Sequence, residues 1–128
     1  MRSLNRDELN IASRFLYLSM AITVIKKDLT EVQNGSFKIK EPYLILLEKM
    51  LYLAAIERKE LRINMRKQSI KVYLLNKNES FSTYLFTAGN REEKRFYFNP
   101  AIRKQVVPIL NELMTKAAVQ VQDSASSN

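Results

Sequence analysis

Apolar residues recur along the first quarter of the chain at steps that alternate four and three: Ile11, Phe15, Leu18, Ile22, Ile25, Leu29 and Val32. An average step of about 3.5 lines them up on one stripe of an α-helix. Leu16, Tyr17, Met20, Ala21 and Val24 widen that stripe beyond a narrow seam. Asn5 stands ahead of it as an N-cap, with Glu8 placed to close a capping box, and Asn34-Gly35 follows it. The pattern predicts a helix over residues 6–33, ended by Gly35 in a left-handed conformation.

A second apolar run is denser. Between Tyr43 and Ile56 only Glu48 and Lys49 are polar. A helix that is apolar on nearly every side must be covered on nearly every side, so this segment is the expected centre of the core. Pro42 suits its first turn, where the missing N–H costs nothing. Residues 61–66 alternate at period two, but the strong helix formers Glu57 to Arg62 favour a helix that continues to about Lys67. The short connection 36–41 predicts an antiparallel pair with the first helix.

Three strand-like runs follow at 70–75, 81–88 and 95–98, separated by turns at 76–79 and 89–94. Such close spacing predicts an antiparallel meander. Phe96 and Phe98 are expected in the core beneath the helices, with Tyr97 on the opposite face. Asn99-Pro100 reads as an N-cap followed by proline at the first helical position. The last helix should present one broad apolar face made of Ile102, Val106, Val107, Ile109, Leu110, Leu113, Met114, Ala117 and Val121, with a kink or local break at Pro108. The order is ααβββα in the α+β class: a two-helix antiparallel hairpin, a three-stranded antiparallel meander and a C-terminal helix. One domain over 1–122 is expected, with the polar residues 123–128 as a disordered tail.

Composition changes the picture chiefly by exclusion. The 128 residues include no cysteine and no histidine, so thiolate nucleophiles, imidazole bases and the usual zinc ligands are absent. Two glycines cannot build a phosphate-cradling loop of a known motif. The thirteen carboxylates are scattered, so no catalytic residue, metal site or cofactor is expected. The apolar runs Phe15 to Ile25 and Tyr43 to Ile56 fall short of the ~20 residues of a membrane span. Lys26-Lys27-Asp28 stands where a secretory cleavage site would be, which makes the cytoplasm the expected location.

A net charge of +8 favours polyanionic partners. The charge is concentrated: Arg58, Lys59, Arg62, Arg66, Lys67 and Lys71 occur within one stretch against a single acid, Glu60. On a continuing helix Arg58, Arg62 and Arg66 stack at i, i+4 and i+8, suited to phosphate contact. A second group, Lys94, Arg95 and Tyr97, interleaves charge and aromatic character on a strand, as surfaces that stack single-stranded bases do. The expectation is a small, basic, non-enzymatic protein that contacts nucleic acid or acts within a nucleic-acid-bound complex. The alternative is an assembly protein that self-associates into a homo-oligomer through its helices, or binds an acidic protein, with the arginines merely solvated or paired with neighbours such as Glu57.

Overall fold

The computed structural model describes residues 3–126. Its first helix, α1 (Arg6–Asn34), starts at a closed capping box. The Asn5 side-chain oxygen accepts from the Glu8 backbone N–H at 2.9 Å, and Glu8 Oε1 accepts from the Asn5 N–H at 2.9 Å. At the other end Gly35 is extended, with φ −75° and ψ 166°, rather than left-handed. Glycine there leaves room for a neighbouring ring. A Cβ would come within 2.6 Å of the Phe37 ring, which folds back over the helix end.

α1, not α2, is the central element. Both helices pack on each other, on α3 and on the sheet, but α1 is the more deeply buried, with Ala12, Leu16, Leu18, Ala21 and Ile25 inside. α2 (Glu41–Lys67) is one continuous helix, so residues 61–67 are helical. It buries Met50, Ala54 and Met65 and leaves Tyr43, Ile45, Tyr52, Ile56 and Ile63 exposed. Apolar density along α2 therefore overstated its burial, because α1 and α3 cover only one arc of it. By length and composition alone α1 is long and apolar enough to cross a membrane, contrary to the expectation drawn from uninterrupted runs. Arg14 is its only charge between Glu8 and Lys26. In this fold α2, α3 and the sheet pack against it and cover part of its apolar surface, with Val24 left exposed.

The three strands β1 (Ile70–Lys77), β2 (Phe81–Ala88) and β3 (Arg91–Phe98) form an antiparallel meander in the order β1-β2-β3. β2 alternates cleanly: Ser82, Tyr84, Phe86 and Ala88 point into the core, and Phe81, Thr83, Leu85 and Thr87 point away. β3 begins at Arg91, so Arg91 to Lys94 is strand and only Gly89-Asn90 turns the chain. Gly89 supplies the positive φ of 63° that a two-residue hairpin loop needs. The register carries a second correction. Phe96 and Phe98 pair with Thr83 and Phe81 on the outer face, while Tyr97 faces the helices.

α3 (Asn99–Ser126) runs through Pro108 as one helix, without the local break that was one of the two expectations there, and it leaves Val107 and Met114 of the expected apolar face exposed. Pro108 lies on the exposed side, where water can serve the carbonyl it leaves without a donor. The helix also includes residues 123–126, expected as disordered tail; 127 and 128 lie outside the described residues. Nor does Asn99 spend its side chain on capping. It accepts from Ser82 Oγ at 2.7 Å and donates to the Asn78 and Glu79 carbonyls, tying the start of α3 to the β1–β2 turn.

Two residues, Gln68 and Ser69, link α2 to β1, and Ser69 has φ of 55°. The left-handed region is unfavourable for a residue with a Cβ. The Gly89 N–H donates to the Ser69 carbonyl at 3.1 Å and fixes this corner. Ser69→Gly should raise the unfolding free energy by about 0.5–1 kcal/mol, as urea denaturation would measure.

Candidate nucleic-acid interface

α1 and α2 pack side by side and leave a groove of about 560 Å³ along one flank. From α2 it receives Leu51, Ala55, Arg58, Lys59, Arg62, Ile63 and Arg66, and from α1 it receives Ser19, Ile22, Thr23 and Lys26. Four residues of helix rise ~6 Å, so Arg58, Arg62 and Arg66 form a ladder of cations over about 12 Å. Arg58 is held in place: its Nε donates to Ser19 Oγ at 2.9 Å and its guanidinium lies 4.8 Å from the Phe15 ring centre. Burial, and secondarily the charge of Arg62, press its pKa down. A guanidinium still remains cationic at neutral pH.

A second concavity, of about 740 Å³, begins where the first ends and shares Arg62 and Arg66 with it. Phe15, Met65, Ser69, Ile70 and Val72 line it on the helix side, and Lys71, Tyr73 and Thr87 line it around the edge of β1. Among the described residues, no carboxylate lines either concavity. The nearest candidate for neutralisation, Glu57, is already engaged. It accepts two hydrogen bonds from Arg14, at 2.6 and 2.9 Å, and Arg14 also reaches Glu112 of α3 at 3.6 Å. Among the described residues Lys26, Arg58, Lys59, Arg62, Arg66 and Lys71 have no ion-pair partner.

The residues expected from sequence are therefore divided. Arg58, Lys59, Arg62 and Arg66 share the helix groove, and Lys71 extends it. Lys67 is exposed at the end of α2 but outside both walls. Lys94 stands on the outer face of the sheet, opposite Leu85. Arg95 is turned inward and pairs with Glu93 at 2.9 Å. Tyr97 is half-buried, set edge-on to Tyr17 and Tyr84 with ring centres 6.5 and 6.0 Å away, and burial raises its pKa. Arg95 and Tyr97 are thus committed to internal contacts. Lys26 escaped the sequence reading because it lies on α1, outside the basic stretch of α2, and joins the same groove only through the packing of the two helices.

A family model described as YhjD protein matches residues 3–118. An uncharacterized protein YhjD of Bacillus subtilis (strain 168) is 34% identical over 110 residues, covering 86% of this chain and 92% of that protein. No solved structure matches the chain.

Proposed function

We propose, for a chain that belongs to the YhjD protein family, that the basic groove between α1 and α2 is its working surface, and that it binds the phosphate backbone of nucleic acid without transforming it. One observation carries this reading: the six cations from Lys26 to Lys71 line continuous walls that contain no carboxylate. Like charges at i, i+4 destabilise a helix slightly, and a polyanion in the groove removes that repulsion. Three arginines suit the task better than lysines, since a guanidinium can meet phosphate oxygens in pairs. Each phosphate engaged also releases condensed counterions, which supplies affinity at low salt.

Arg62→Gln together with Arg66→Gln keeps helix propensity and removes two charges at the junction of the concavities. Affinity for mixed-sequence oligonucleotides should fall for every sequence alike. The slope of log K against log salt should become shallower by about 1.4–1.8, and circular dichroism should stay unchanged. No binding by the unaltered protein at low salt would overturn the reading.

A separate observation favours the assembly alternative. Ile45, Tyr52, Ile56 and Ile63 form an outward stripe on α2 at steps of seven, four and seven. That spacing suits a helix–helix seam, but Lys49 and Lys59 interrupt it at the intervening positions. The two readings part in the centrifuge, where a salt-independent dimer abolished by Tyr52→Glu would favour assembly.

A further inference from the structure

We infer that the nucleic acid held by this protein is single-stranded, with its bases stacked on the open outer face of the sheet. The inference rests on the phosphate-binding reading of the groove and adds the class of strand to it. The second concavity does not stop at the helices. Its walls pass from Arg62 and Arg66 around the β1 edge to Lys71 and Tyr73, which belong to the outer face. A backbone that follows the cations is thereby delivered onto the sheet.

Among the described residues no helix covers that face. Phe96 is 76% exposed, and Phe81 and Phe98 are more than half exposed. Phe81 and Phe98 are cross-strand partners with ring centres 5.6 Å apart, and Phe96 sits opposite Thr83 on the neighbouring rung. Open aromatic rings beside unpaired cations are what a single strand uses, since its unstacked bases offer their π-faces. A duplex keeps those faces inside its own stack. Charge selects the occupant further. Lys94 stands two residues from Phe96 on the same face, and Lys71 lies further along that face on β1. Glu92 is the single strand carboxylate turned outward, Glu93 facing the helices. An anionic strand is therefore favoured over a second copy of this chain, which would bring the same cations.

The test uses the full chain and three fluorescent probes: a dT oligonucleotide, a mixed-sequence single strand and the same sequence as duplex. Anisotropy is read at several salt concentrations for the unaltered protein, for Phe96→Ala with Phe98→Ala, and for Arg62→Gln with Arg66→Gln. Both phenylalanines are exposed, so circular dichroism and the unfolding midpoint should be retained in the first variant. The expected result is tighter binding of single strands than of duplex. The phenylalanine variant should lose single-strand affinity at least about tenfold, with its salt slope and duplex binding unchanged. Equal loss for duplex and single strand, or no loss for either, would overturn the platform. If the arginine variant alone weakened binding, the groove reading would survive that failure. Sedimentation supplies the last arm: a dimer of the unaltered protein made monomeric by the phenylalanine changes, with oligonucleotide affinity intact, would show that a second copy covers the face and would overturn the inference.

Discussion

Replacing Phe86 by alanine should lower the unfolding free energy by about 3–5 kcal/mol, the range for removing a fully buried aromatic side chain. Phe86 is the largest fully buried residue among the described residues. It sits mid-way along the central strand, between Val72 of β1 and Glu93 of β3, on the face that meets the helices. With no edge to relax toward, the cavity left by alanine cannot collapse readily. A domain of this size has roughly 5–15 kcal/mol of total stability, so the variant should be marginal at room temperature. Urea denaturation at constant m-value would measure the loss. Phe96→Ala, a nominally identical change one strand away and on the outer face, should stay within about 0.5 kcal/mol of the unaltered protein. A Phe86 variant that lost less than about 1 kcal/mol would mean that the inner face is not the packed one.

The protein should also be acid-sensitive through one carboxylate. Glu8 closes the capping box of α1 and at the same time receives both terminal nitrogens of Arg91, with Arg91 Nη1 2.6 Å from its Oε1. Arg91 opens β3, so the pair joins the start of the first helix to the last hairpin across 83 residues. The hydrogen bonds from Arg91, followed by that from the Asn5 N–H, hold the Glu8 pKa below the usual carboxylate range, against the opposing effect of burial. A depressed folded pKa contributes stability that is fully present above the unfolded value, near 4.3 to 4.5, and lost as pH falls through the folded value. Glu8→Gln preserves the cap, which glutamine can complete, and removes the charge. Its unfolding midpoint should lie well below that of the unaltered protein at pH 7 and converge on it at acid pH, as the folded value is crossed. Glu8→Ala should be the less stable of the two variants at either pH, because the cap is lost as well. A constant gap between the glutamine variant and the unaltered protein across this range would remove the ion pair from the account.

The elements were legible because their signals are local. Asn5 and Glu8, the four-and-three spacing of α1, and the apolar runs of the strands each depend on residues a few positions apart. What failed depended on the third dimension. β3 shows the limit most clearly: its inward set is Arg91, Glu93, Arg95 and Tyr97, and its outward set includes Phe96 and Phe98. Hydropathy alone would choose the opposite faces. The inward charges are tolerated because Glu8 meets Arg91 and Glu93 meets Arg95, partnerships that alternation cannot reveal. The same reason explains the arginines. Their spacing on α2 was visible, but their freedom became evident only once Glu57 was found on Arg14 and α1 was seen to add Lys26 to the same groove.

A three-stranded sheet has two outer strands, and each presents unpaired backbone groups that could recruit a strand from another chain. β1 is interrupted by a bulge between Leu74 and Asn76, with Lys71 and Lys77 toward its two ends. β3 carries Arg91, Glu92, Lys94 and Arg95 and passes directly into α3 at Asn99. A bulge breaks the regular spacing that an incoming ladder needs, and charges along an edge repel or desolvate poorly against a flat partner. Concentrated native protein should therefore resist strand-by-strand growth into fibrils, even with phenylalanines exposed on the face between those two edges.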